Sequence, residues 1–216
     1  MKLRYIGAIA TLALVASTQA GVILGTNIQG GTGDTLIANS SNQLMSGGIA
    51  ASGYFNAGFD VGAAVAAQDY AGLASAFNIL TSSAIGETSA DFGTDIAGFY
   101  SNPSVDYGAP GARLGAQLYT FFGNGGTLGG SSQFGLVSFG ATIDADSPAP
   151  DSNNLNLFTG ATYTVLLGTT GGTATVNLSG IGQGEAVVNP TLQLVPEPSA
   201  ALLGLLGAVG LIRRRR

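Results

Sequence analysis

The chain has 216 residues, 35 of them glycine, with no cysteine and no histidine. Seven basic residues stand against twelve acidic ones, a formal net charge of −5. This composition excludes thiolate and imidazole metal sites, thiol catalysis and every Ser-His-Asp or Cys-His arrangement.

The chain opens with Met1-Lys2-Leu3-Arg4, a basic start, followed by the apolar run Tyr5–Val15. Thr18 and Ala20 place small residues three and one positions before Gly21. This pattern predicts a secretory signal peptide over 1–20, a signal helix carried by the Sec translocon and cut by signal peptidase between Ala20 and Gly21. The other reading is an uncleaved anchor, against which stand the short apolar run and the absence of a stop-transfer cluster.

Between Gly21 and Val195 lie 175 residues with Arg113 as their only cation and eleven acids, a charge of about −10. Such a field repels nucleic acid and anionic lipid, so no nucleic-acid partner is expected. The length suits one domain with a real core.

In chain order, 21–28 reads as a first strand and Ile49–Phe55 as a second. Val61, Ala64 and Val65, then Leu73, Ala76, Phe77 and Leu80, recur at helical spacing, with Asp60 and Asp69 where N-caps belong. Two short helices follow, over 61–67 and 70–79, their apolar faces covering a sheet. Segments 112–122 and 133–141 flank the turn-rich Gly123–Ser132 and predict a hairpin. Asp144–Asn154 reads as an acidic loop. Tyr163–Gly168 and Thr173–Leu178 flank Thr169–Gly172 as a second hairpin, and Ala186–Val195 gives a last strand that Pro190 confines to an edge or interrupts. The class is mainly β: an exported antiparallel β-sandwich, jelly-roll-like, with two short helices.

Acid–base chemistry in this domain would fall to carboxylates such as Glu87 and Glu185, but no local motif pairs them as a glycosidase needs. The exported part has no lysine and therefore no Ser-Lys dyad. Asp144, Asp146 and Asp151, with Ser147 and Asn153, could gather oxygen ligands for calcium on one loop. Their spacing does not match an EF-hand, and a solvated acidic loop held open by Pro148 and Pro150 is the favoured reading. Gly123–Gly130 has no following lysine and is no phosphate loop. Neither an enzyme nor a cofactor is expected.

The chain closes with Pro196-Glu197-Pro198, an apolar run to Ile212, and Arg213, Arg214, Arg215 and Arg216. The prolines bar a continuous helix and hold Glu197 in an extended, exposed linker. Ser199–Ile212 would span only about 21 Å as a helix, against ~30 Å of hydrocarbon. Four adjacent cations cannot be desolvated in a core, so a short transmembrane helix over 199–212, oriented by its arginines, fits best.

Over these last residues, 196–216, the sequence resembles the PEP-CTERM family of bacterial surface and secreted proteins, which carry the same three parts in this order. The resemblance implies recognition by a membrane-embedded sorting protease of the exosortase type, cleavage near Pro196–Pro198, and release or transfer of domain 21–195. The other reading is a permanent tail anchor. The expected protein is membrane-anchored before processing and then found at the cell surface or in the extracellular matrix, with no catalytic role. Alternatives for its domain are a carbohydrate- or calcium-binding adhesin, with extracellular polysaccharide as partner, and a carboxylate-based glycan hydrolase.

Overall fold

The computed structural model describes residues 22–27, 35–86, 96–106, 114–143, 152–157, 161–177 and 185–198. Segments 1–20 and 199–216, with Ala20, Gly21 and Arg213–Arg216, lie outside these residues, as do Asp144, Asp146 and Asp151. The described residues are mainly β.

The largest sheet is built from β3 (Ile49–Phe55), β4 (Phe77–Ala84), β6 (Gln117–Gly123), β7 (Gln133–Thr142) and β12 (Val195–Pro196) in the order β12-β7-β6-β3-β4. β9 (Thr164–Leu167) shares the outer edge of β7 with β12. One small sheet has β1 (Val22–Thr26) between β5 (Ser101–Asp106) and β8 (Ser152–Asn156). In the other, β11 (Glu185–Gln193) lies between β10 (Thr169–Asn177) and β2 (Leu36–Ala38). All described pairings are antiparallel except β1 with β8 and β2 with β11, which are parallel.

Alternation along the central strands feeds two cores. From β6, Leu118 and Phe122 join one cluster while Tyr119 and Phe121 join the other; from β7, Val137 and Phe139 go one way, Phe134 and Leu136 the other. Successive side chains of a strand point to opposite faces, so a strand buried on both reads as a continuous apolar run. The first core is closed by Ile37 of β2, Leu155 of β8 and Leu192 of β11. The second is closed by the helices α1 (Val61–Ala66) and α2 (Tyr70–Ala76), which bury Ala64, Tyr70, Leu73 and Ala76. Burying Leu73 completely stabilises the sheet–helix contact by roughly 1.5–3 kcal/mol.

Both helices start where expected: the Asp60 carboxylate accepts from the Ala63 amide and that of Asp69 from the Gly72 amide, each at 2.9 Å. The second helix ends earlier than its periodicity predicts. Phe77 turns extended and pairs with Phe55 across β3 and β4, their ring centroids 5.0 Å apart. Tertiary pairing thus overrides three residues of helical pattern.

Two further expectations are corrected and a third is resolved. Segments 163–168 and 173–178 do not form a hairpin together: β9 pairs with β7, while β10 already begins at Thr169 and pairs with β11. Gly168, at φ 114°, makes the change of sheet, and a Cβ there would meet the Gln193 carbonyl at 2.9 Å. The acidic segment 144–154 is not loop to its end, because Ser152 opens β8 beside β1. Of the two expectations for Pro190, the interruption holds and the edge position does not: β11 is a central strand whose ladder with β10 skips from Thr191 to Val188. Pro190 is tolerated because β2 pairs only from Thr191 onward and the β10 register shifts around it.

Candidate functional site: a C-terminal seam and an aromatic cleft

Of the residues expected to carry a sorting signal, Pro196, Glu197 and Pro198 are described, and all three side chains are exposed. Their backbone is less free than a linker's. Leu194, almost fully buried, donates its N–H to the Ala38 carbonyl at 2.9 Å. Val195 then pairs with Phe134 and Pro196 with Gln133, and the Glu197 N–H reaches the Ser132 carbonyl at 2.7 Å. The chain leaves the body as the last rung of a sheet edge. Proline fits there because its missing donor falls at an edge strand.

The receiving side of this seam is itself ordered. The Asn124 side-chain oxygen accepts from the Ser132 and Gln133 amides at 2.8 and 3.0 Å, which fixes the hairpin loop ahead of β7. Tyr70 packs on Phe134 at 5.4 Å between centroids. Burial, and then the nearby Glu197 carboxylate, hold its phenol pKa above the ordinary tyrosine value. The motif's charge is therefore felt by a core residue of α2.

The second feature was not legible beforehand. The β3–β6 ladder ends at the pair Gly53–Tyr119. Beyond it, β3 continues beside β4 to Phe55 while Gln117 stays paired with Thr142 of β7. The strand ends part and leave a cleft of about 340 Å³ lined by Tyr54–Ala57, Phe59, Val61, Leu114–Gln117 and Tyr119. No lining residue is charged. Phe59 stacks on Phe55 at 5.4 Å and 11°, and Phe55 meets Tyr119 edge-on at 5.1 Å. The Gln117 amide donates to the Ser138 hydroxyl at 2.5 Å and accepts from the Tyr119 hydroxyl at 3.1 Å. Asn56 accepts from the Asn78 amide at 2.8 Å. The available signal was the run Tyr54-Phe55-Asn56 with Phe59 close behind, an aromatic group mixed with an amide just past a strand.

Glu87 lies outside the described residues, and Glu185 opens β11 opposite Asn177. Among the described residues there is no group of three or more Asp and Glu placed to hold a metal ion. Nor is any described helix long and apolar enough to cross a membrane. No family model, no curated protein and no solved structure matches this chain.

Proposed function

We propose that the chain is an exported surface or extracellular-matrix protein whose non-catalytic β-sandwich is delivered by its two ends. The observation that carries this reading is the ordered terminal set: Pro196-Glu197-Pro198, the apolar run to Ile212 and the four arginines. The signal-like residues 1–20 support it, since both basic ends then stay in the cytoplasm and the strongly acidic body lies outside. The tripeptide supports it as well, since its three side chains are exposed where the chain leaves the sheet edge. The two small sheets packed over one face of the large one favour the sandwich, with the helix pair covering the other face.

Replacing Pro196-Glu197-Pro198 with three alanines tests the proposal. The variant is expected to accumulate in the membrane at full mass, while the parent is shortened and leaves it. Normal shortening and release of the variant would remove the tripeptide from the sorting role. A second reading, a carbohydrate-binding adhesin, is favoured by the uncharged aromatic cleft; retention of the exported body on a polysaccharide column separates it from a passive coat component.

A further inference from the structure

We infer that the cleft between Tyr54–Val61 and Leu114–Tyr119 binds a neutral saccharide. This narrows the adhesin reading to one site and one ligand class, and it does not depend on the sorting signal.

The cleft is built into the sheet. It opens because two paired strands separate after Gly53 and Tyr119, each remaining bound to its other neighbour. Its volume, about 340 Å³, falls at the small end of the ~300–1,000 Å³ usual for ligand pockets. That suits a short stretch of a chain rather than a buried cofactor.

Its chemistry is that of a sugar's two surfaces. A pyranose presents a face of C–H bonds and a rim of hydroxyls. Phe59, half-buried and stacked on Phe55, offers the first a rigid aromatic partner. Phe55 in turn is held edge-on by Phe77 and Tyr119. For the hydroxyls there are two exposed amides. Gln117 uses one N–H on Ser138 and accepts one bond from Tyr119, which leaves it a donor and a lone pair. Asn56 is anchored through its oxygen by Asn78, so its two N–H groups remain to donate. Both amides are held in place before a ligand arrives, which lowers the entropy lost on binding.

Charge selects among saccharides. No ionised group lines the cleft, and the body around it carries about −10. Uronate or sulfated polymers would be repelled, and neither amide can neutralise them. Leu114, 56% exposed on the rim, adds apolar surface without changing this balance.

The test is calorimetric titration and saturation-transfer NMR of the purified full chain with maltohexaose and cellohexaose, and with polygalacturonate as the acidic probe. Saturable binding of at least one neutral hexasaccharide is expected, with none for polygalacturonate. Gln117→Ala and Phe59→Ala should each weaken that binding by about tenfold or more. Gln117 is exposed, so its variant keeps the fold even if Phe59→Ala does not, and Phe59→Tyr should retain binding. The inference is overturned if neither hexasaccharide saturates at millimolar concentration, or if polygalacturonate binds more tightly. Unchanged affinity in Gln117→Ala, or displacement of the sugar by dodecanoate at the same residues, would overturn it too.

Discussion

Glu197 donates its backbone N–H to the Ser132 carbonyl, one step beyond the pairing of Pro196 with Gln133. Two of the three residues of the tripeptide are thus spliced to the body, and only Pro198 lies beyond this bonding.

Hydrogen exchange checks that seam directly. The Glu197 amide should exchange slowly in the native protein and near the free rate in Val195→Lys, which puts a charge where Val195 packs against the second core. For a processed form, intact mass is expected to retain residues through Pro196. A terminus before Leu194 would mean that the seam opens before cleavage.

Leu194 and Tyr100 bracket what burial does to stability. Leu194→Ala removes a nearly inaccessible side chain from the first core and is expected to cost roughly 2–5 kcal/mol in denaturant unfolding. Tyr100→Phe should behave oppositely. Its hydroxyl is buried beside Thr120 without a well-formed hydrogen bond among the described residues. Deleting that oxygen should be neutral or stabilising by up to about 1 kcal/mol.

Asn27 joins three backbone segments with one side chain. Its amide donates to the Thr35 and Gly98 carbonyls at 3.0 and 2.8 Å and accepts from the Tyr100 amide at 2.9 Å, fully buried. Asn27→Ala strips the Thr35 carbonyl and the Tyr100 amide of this partner, while the Gly98 carbonyl keeps its bond from the Ile37 amide, and is expected to lower stability by about 2–4 kcal/mol. Thermal and denaturant melts report it.

At high pH the fold should fail in a defined direction. Tyr70, Tyr100 and Tyr119 all have pKa values raised above 10.0, chiefly by burial. The native state therefore holds these protons more tightly than the unfolded chain does. Their contribution is complete below pH 10 and declines as pH rises above it. Melting temperature followed from pH 8 to pH 12 should fall above 10, and Tyr100→Phe should flatten that fall.

Much of the body was legible because its cues are local. Strand Ile49–Phe55 and the hairpin around Gly123–Ser132 have apolar runs bounded by turn residues, and the two helices have aspartate caps with helical spacing. The misses share one cause, that the partner is remote in sequence. Leu36–Ala38 is three residues long and is a strand only beside Thr191–Gln193. Ser-Asn-Asn-Leu-Asn of β8 has poor strand propensity and is recruited by β1. Phe77–Leu80 carries a helical pattern, yet β3 claims it through a bulge at Gly53, where a Cβ would collide with the Asn78 carbonyl oxygen. The cleft belongs to the same group, since no spacing announces where two strands separate. Pro196-Glu197-Pro198 stands out in the sequence as a tripeptide, whereas its attachment to β7 was not legible there.

The outer margin of β7 is completed by two pieces that arrive at different times. Leu167, Val165 and Thr164 cover its middle, but Phe134 and Gln133 wait for Val195 and Pro196. A chain emerging from its N-terminus must therefore hold an open margin, prone to pairing with a neighbouring copy, until Val195 and Pro196 have followed. If the tail is the membrane anchor proposed above, it gives each copy time to close on itself before it meets another.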